Sequence, residues 1–212
     1  MPCSVICISH ATGSGGDQVG RLVAERLGFL HVDEEIVANA AARGGLSPAD
    51  VADEERRKSL AARILGSISE GSAGTMALGG AVPYPLEDEH PSSEIRELIR
   101  ETIVQTAARG DVVITAHAAS HAVDHGPRVL RVLVTASPDT RARRVGELAG
   151  LDAGKAKRVV GKADAGRRDY LKRFYDVDDE LPTHYDLVLN TDALSVEDAA
   201  DLVVHSAERD RR

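Results

Sequence analysis

Aromatic residues are scarce in this chain of 212 residues, where Phe, Trp and Tyr together make up 3% and tryptophan is absent. Recognition of single-stranded nucleic acid by stacking bases on aromatic rings therefore has little support. The formal net charge of −8 also argues against non-specific binding to DNA phosphates. We expect no nucleic-acid partner.

Long apolar runs are missing as well. No stretch approaches the roughly 20 apolar residues of a membrane span, and the first residues lack the basic and apolar segments of a secretory signal. We therefore expect a cytoplasmic protein with no membrane partner. The length suits one α/β domain, with room for a small helical subdomain.

Cysteine occurs only twice, at Cys3 and Cys7. Four residues apart on a predicted strand, the two side chains share one face. An extended strand keeps them too far apart for a disulfide, and two thiols alone make a poor zinc site. We expect both to be buried core residues.

Glycine is concentrated where the first predicted strand ends. An apolar run at residues 4–9 leads into Ala11-Thr-Gly-Ser-Gly-Gly-Asp17, and an amphipathic helix follows at residues 18–27. Phosphate-binding loops are built in this order, because glycines let backbone N–H groups converge on an anion and the helix N-terminus adds partial positive charge. The segment predicts an ordered phosphate-type loop.

The loop departs from the full phosphate-loop pattern in its side chains. Gly15 stands at the second glycine of the pattern. His10 replaces the first glycine, Gly16 replaces the lysine, and Asp17 replaces the Ser or Thr. The backbone architecture is present, and the cation that normally accompanies it is not.

Strand-like and helical segments alternate along the chain. Predicted strands lie at 4–9, 30–33, 111–115, 129–135 and 186–190, and predicted helices at 18–27, 34–43, 48–69, 93–109, 138–148, 153–175 and 196–208. Most of the strands are continuous apolar runs, which is typical of a parallel sheet covered on both faces. We therefore predict an α/β fold, a five-stranded doubly wound parallel sheet. The long stretch between the second and third strands predicts a helical insertion, with a flexible loop at 66–91.

Positive charge is concentrated in one block of an otherwise acidic chain. Between Arg141 and Arg173 there are eleven Lys or Arg and four Asp or Glu, a local balance of +7, so the remainder carries −15. Such a block fits a polyanionic ligand held in one place, although a solvated helix face is the commoner explanation. Because the chain also has a phosphate-type loop, we favour the polyanionic ligand. We predict that the basic block folds over this ligand as a lid.

The chain resembles the nucleoside monophosphate kinases, specifically the cytidylate-kinase-like branch of these P-loop proteins. The resemblance rests on Gly13-Ser-Gly-Gly16 with its helix, LGFLHVDEEIV (27–37), VLRVLVTASPDTRARR (129–144), KADAGRRDYLKRFY (162–175) and YDLVLNTDALSVEDAA (185–200). It implies one domain over 1–212, with a helical acceptor-binding insertion at about 34–110 and a lid at about 150–176.

The resemblance also implies ATP and Mg²⁺, a nucleotide or small phosphorylated acceptor, and a set of site residues. The donor phosphates would lie against Thr12, Gly13, Ser14, Gly15, Gly16, Asp17 and Gln18. The acceptor would contact His117 and Lys162, and Asp33 would lie near the acceptor phosphate or the water shell of Mg²⁺. The catalytic residues would be Arg141, Arg144, Arg167 and Arg168, which neutralise the charge of the transferred group, and Asp164 of the lid motif. Lid arginines suit phosphoryl transfer because its charge spreads over three oxygens. No protein-held metal site and no oligomeric state is assigned.

Two departures keep a second function open. Asp17 stands where many members of this branch carry a basic residue, and His117 stands where the family presents an arginine to the acceptor. A phosphotransferase acting on a nucleoside monophosphate is the favoured interpretation. The alternative is a nucleotide-binding sensor or interaction protein of the same fold with little turnover.

Three histidines recur at a spacing of four, at His117, His121 and His125. On a helix they would lie along one flank, and that spacing can bind a transition metal. Asp124 would lie on the wrong side of such a helix to complete the site. Polar or acceptor-pocket histidines are the favoured interpretation.

Overall fold

A computed structural model describes residues 2–33, 91–115 and 119–209. Its strands are β1 (Val5–His10), β2 (Leu30–Val32), β3 (Val112–Ile114), β4 (Val129–Thr135) and β5 (Leu187–Asn190). They form one sheet in the order β2-β3-β1-β4-β5, and every neighbouring pair is parallel. The predicted α/β class and the five-stranded parallel sheet are confirmed.

Helices connect these strands. They are α1 (Gly16–Leu27), α2 (Pro91–Arg109), α3 (Ala119–Ala122), α4 (Pro138–Ala149), α5 (Ala153–Tyr175) and α6 (Val196–Glu208), with a 3₁₀ turn at Pro182–His184. Side chains cap the first turns of α4, α5 and α6, where the Ser137, Asp152 and Ser195 oxygens accept backbone N–H groups. The first turn of α1 differs, because its N-cap is Gly15 and has no side-chain cap.

The sheet is covered on both faces, as its apolar strands predict. Alternate residues of β1 enter different clusters, with Ile6 and Ile8 packing with α1 and α6, and Val5 and Cys7 packing with α2. Cys3 and Cys7 are both buried and unbridged, as expected. Burial raises the pKa of the Cys7 thiol to about 12, so it behaves as a core residue.

Helices α4 and α5 form a smaller unit at one side of the sheet. They pack through Ala142, Ala156 and Val160, with Val145 and Leu151 around them. Helix α5 covers most of the region predicted as a lid, and its bounds match the predicted helix. The residues predicted as a lid are thus held against the helix that follows β4.

The middle of the chain is described only in part. The predicted helices at 34–43 and 48–69 and the predicted loop at 66–91 lie almost wholly outside the described residues. The end of the predicted insertion is α2, whose Ile99, Ile103 and Ala107 pack against the sheet. The short helix α3 is not predicted, because four residues give no helical periodicity. Within the described residues, no helix is long and apolar enough to cross a membrane.

Candidate active site

The glycine-rich loop joins the central strand β1 to α1, at the carboxyl edge of the sheet. Gly13 and Gly15 have φ of +83° and +84°, a left-handed conformation that only glycine adopts readily. A Cβ on Gly13 would also lie 2.7 Å from the carbonyl oxygen of Arg141. The glycines are therefore required by both conformation and close packing, and the predicted ordered loop is present.

Two arginines of α4 bind three consecutive carbonyl groups of this loop. Arg141 Nη1 donates to the Thr12 oxygen, and Arg144 Nη1 donates to the Gly13 and Ser14 oxygens, each at 3.4 Å. The C=O and N–H of a trans peptide point in opposite directions, so the N–H groups of Gly13 and Gly15 face away from both arginines. The Ser14 N–H closes a turn onto the Ala11 carbonyl at 2.9 Å.

Thr191, directly after β5, supports the loop from the same side as the arginines. Its side chain is buried, its Oγ1 lies 2.8 Å from the Ser14 carbonyl oxygen, and Arg144 Nη1 lies 2.9 Å from that Oγ1. Arg144 Nη2 also donates to the Thr191 carbonyl at 2.8 Å. Sequence reasoning missed Thr191. Its position at the carboxyl end of a parallel strand was the available signal.

Arg141 joins the loop to the predicted lid. Arg141 is 5% exposed, and its guanidinium forms two parallel bonds of 2.8 Å to the carboxylate of Asp164 on α5. Its Nε donates to the Ala136 carbonyl at 3.1 Å. Arg141, Arg144, Asp164 and the loop therefore come together as the sequence predicts, and the two arginines are already bonded to the protein.

Arg167 lies in a separate network. Its Nε donates to Glu180 Oε2 at 2.8 Å, a second bond joins Nη2 to Oε1, and the Tyr185 hydroxyl also donates to Glu180. Burial alone would raise the pKa of Glu180, but the bonds from Arg167 and Tyr185 and the nearby His121 bring it below its usual value. Sequence reasoning did not predict Glu180 or Tyr185, although the acidic run beside the basic lid was a signal for such a pair.

Arg168 and Lys162 are exposed on α5, and neither has an ion-pair or hydrogen-bond partner among the described residues. Residues four apart share a helix face, so Arg168 lies on the same face as Asp164 and the loop. Lys162 is two residues from Asp164, which places it about 200° around the helix. The structure therefore brings Arg168 to the loop side of α5 and places Lys162 on the far side.

Asp17 and His10 form a pair at the start of α1. His10 Nε2 lies 3.1 Å from Asp17 Oδ1, and the Asp17 side chain is 54% exposed. Burial opposes ionisation of Asp17, but the hydrogen bond and charge of His10, with Arg21 and His31, lower its pKa. The carboxylate is therefore ionised at neutral pH, turned towards His10 at the side of the loop.

The donor set fits Mg²⁺, which takes oxygen ligands and is usually held by one or two carboxylates together with substrate phosphates. Asp17 offers one exposed, ionised carboxylate beside the loop. Among residues 2–33, 91–115 and 119–209, no group of three His, Cys, Asp or Glu side chains is placed to hold a metal ion. A magnesium ion here would be shared between the chain and its phosphate ligand.

The remaining predicted residues are more dispersed. Gln18 is exposed in the first turn of α1, and Asp33 is half-buried directly after β2. His117 lies outside the described residues. His121 and His125 contact different partners, since His121 Nε2 lies 3.4 Å from the Tyr185 hydroxyl and His125 Nε2 lies 3.4 Å from Asp186 Oδ1.

The sheet order, the glycine loop at its central strand and the helical arginines define a kinase of the P-loop class. Residues 5–193 match the model of the cytidylate kinase-like family. The chain belongs to this family, and it is a kinase-like phosphotransferase.

Curated relatives and a solved structure agree with this assignment. The chain is similar to a cytidylate kinase from Aeropyrum pernix, with 31% identity over 68% of this chain and 82% of the relative. A cytidylate kinase from Roseiflexus castenholzii is 29% identical over 95% of this chain and 92% of the relative. An uncharacterized protein from Eubacterium ventriosum shares the fold, with a TM-score of 0.67 and 16% identity over 96% and 97% of the two chains.

Proposed function

We propose that this protein transfers the γ-phosphoryl group of ATP, in the presence of Mg²⁺, to a nucleoside monophosphate, with cytidine monophosphate as the first acceptor to test. Membership of the cytidylate kinase-like family supports the reaction class. The names of the curated relatives support the choice of acceptor.

The observation that carries the proposal is the orientation of the loop peptides. Arg141, Arg144 and Thr191 hold the carbonyl groups of residues 12–14 on one side. The Gly13 and Gly15 N–H groups are thereby directed to the other side, where α1 begins with no side-chain cap. Backbone donors converging at an uncapped helix N-terminus form an anion site, which we assign to the donor phosphates.

The arginines would then act in different ways. Arg141 and Arg144 would fix the loop, with Asp164 fixing Arg141. Arg168, exposed on the loop face of α5, would meet the negative charge of the transferred group. Arg167 is held by Glu180, and we assign it to positioning the lid. Asp33 and His117 remain proposed acceptor contacts from the family resemblance, with the helical insertion and the lid as further parts of the proposal. Lys162 is left out of it, because it lies on the far side of α5 from the loop.

A catalytically weak nucleotide sensor is the second candidate. The absence of the loop lysine favours it, because Gly16 supplies no cation and the guanidinium groups of Arg141 and Arg144 are bonded to loop carbonyls. Turnover distinguishes the two candidates, since a sensor binds nucleotide without producing a nucleoside diphosphate.

The test is phosphoryl transfer from ATP to a panel of nucleoside and deoxynucleoside monophosphates, followed by ³¹P NMR. We expect nucleoside diphosphate to form, and Arg168→Ala to lower kcat by about a hundredfold, as for loss of one transition-state donor. Arg158→Ala is the matched control, because Arg158 is also an exposed arginine of α5 but lies about 120° around the helix from Asp164. Nucleotide binding without transfer to any acceptor would favour the sensor.

A further inference from the structure

Gly16 stands where a phosphate loop carries its lysine, and the structure shows that a side chain there would overlap the His10 side chain. A Cβ on Gly16 would lie 2.2 Å from the Cβ and 2.4 Å from the Cγ of His10. The His10 side chain therefore occupies the space from which a lysine side chain would begin. The replacements at these two positions are linked, and the loop has imidazole where the pattern has a lysine chain.

The third replacement, Asp17, completes the same group. In the phosphate-loop pattern this position supplies a hydroxyl to Mg²⁺, and here it supplies a carboxylate. Oδ1 of Asp17 is paired with His10 Nε2 at 3.1 Å. Oδ2 has no partner among the described residues, and the side chain is largely open to solvent.

The negative charge of Asp17 would repel the phosphate groups of a nucleotide that carries no metal ion. The negative charges of a carboxylate and a phosphate repel each other, and solvent near a protein surface screens this repulsion only in part. A divalent cation between the carboxylate and the phosphates reverses the sign of this interaction, because Mg²⁺ accepts oxygen ligands from both. Histidine hydrogen-bonded to a ligating carboxylate is the kind of outer contact that orients metal ligands.

We propose that Asp17 is a direct ligand of the magnesium ion that accompanies the nucleotide, and that His10 is the positioning residue that orients its carboxylate. The loop therefore takes up ATP as its magnesium complex and discriminates against the metal-free nucleotide. The metal ion supplies the positive charge that Gly16 does not. This inference rests on the proposed nucleotide site.

Calorimetric titration of the full chain with ATP, in magnesium and in EDTA, tests the proposal through binding alone. The wild-type protein should bind magnesium–ATP at least about tenfold more tightly than metal-free ATP. Asp17→Asn should weaken binding of magnesium–ATP by about tenfold and strengthen binding of metal-free ATP, since it removes both a ligand and a repulsion. A structural role for Asp17 would move both affinities in the same direction.

A spectroscopic readout and two further variants support the comparison. Mn²⁺ can replace Mg²⁺, and the protein can be labelled with ¹³C at its aspartate carboxyl groups. Electron paramagnetic resonance of the ATP complex should then show a hyperfine coupling between Mn²⁺ and ¹³C, and Asp17→Asn should lose it. If Asp17→Asn does not fold, Asp17→Ser takes its place, because it restores the hydroxyl of the phosphate-loop pattern. Asp17→Ser should bind metal-free ATP more tightly than the wild type does. His10→Ala should weaken binding of magnesium–ATP by about tenfold, as for other outer contacts of metal ligands, and His10→Gln should restore part of it.

The outcomes separate this inference from the function on which it rests. Equal affinity of the wild type for both forms of ATP, or parallel changes in Asp17→Asn, would overturn the role of Asp17 and leave the nucleotide site intact. Failure of the wild type to bind ATP with or without metal would instead remove the proposed function.

Discussion

Helices α4 and α5 each carry a pair of arginines predicted for the site, and the two pairs are bonded differently. On α4, Arg141 and Arg144 donate to backbone carbonyls of the loop, and Arg141 also donates to the Asp164 carboxylate. On α5, Arg167 donates to the Glu180 carboxylate, and Arg168 is exposed with no partner within the described ranges. The first pair defines the shape of the loop, and the second faces carboxylate or solvent.

This difference decides which arginines can exchange partners. A backbone carbonyl released from Arg144 would need a new donor, because leaving a buried acceptor unpaired costs about 1–3 kcal/mol. Arg167 would have to give up two bonds to the Glu180 carboxylate to reach a phosphate, whereas Arg168 has no partner among the described residues to give up. Arg141, Arg144 and Arg167 therefore build or position the site through the partners that they already have, and the exposed Arg168 can meet a ligand.

The largest expected effect is the loss of the Arg141 contacts. Arg141→Ala should lower the free energy of unfolding by roughly 3 kcal/mol, the lower end for breaking a buried pair, because Asp164 keeps some access to water. Urea denaturation measures it. Arg143→Ala is the control, since Arg143 forms an exposed pair with Glu147 on the same helix and should cost about 0.3–0.5 kcal/mol. Equal effects of the two substitutions would contradict the building role of Arg141.

A smaller effect is expected inside the loop, between His10 and Gly16. Gly16→Ala should destabilise the protein by about 2 kcal/mol, because its Cβ overlaps the His10 side chain. In the His10→Gly background, the same substitution should cost little. Urea denaturation of the two single variants and the double variant gives the coupling energy between the positions. Additive effects would show that the imidazole does not occupy the space of the missing lysine.

The sheet and the loop could be predicted because their determinants are local. Continuous apolar runs predict buried parallel strands, and Gly13 and Gly15 predict the turn because their conformation suits glycine. Each signal lies within a few residues of the structure that it specifies. The glycine-rich loop, α1 and the helical arginines were therefore placed correctly relative to the strands.

The different environments of Arg167 and Arg168 could not be predicted from their sequence. Neighbouring helical residues point about 100° apart, and only tertiary packing decides which of them meets a carboxylate. The partner, Glu180, lies after the end of α5 in a segment with no periodic pattern. Thr191 was missed for a similar reason, because its bond to Ser14 joins positions 177 residues apart.

The smallest expected effect concerns His121, which lies beside the Arg167 network and shows how far that network is closed to solvent. Burial chiefly lowers the pKa of His121, to about 4; Glu180 opposes the shift, and His184, Arg167 and Arg131 add to it. The folded-state pKa is below the unfolded value of about 6.5, so the unfolded chain binds more protons between those two pH values. The stabilising contribution is therefore complete above pH 6.5 and is lost as the pH falls towards 4.

Between pH 7.5 and pH 5, we expect the unfolding free energy of the wild-type protein to fall by about 1 kcal/mol more than that of His121→Gln. This difference is smaller than the full pKa shift implies, because the His121 ring is partly exposed. Urea denaturation at the two pH values gives the comparison, and the variant serves as its own reference for other groups. Glu180 does not interfere, because its lowered pKa places its titration below this range. The same pH dependence in both proteins would mean that His121 is open to water, and that the Arg167 network is looser than its bonds indicate.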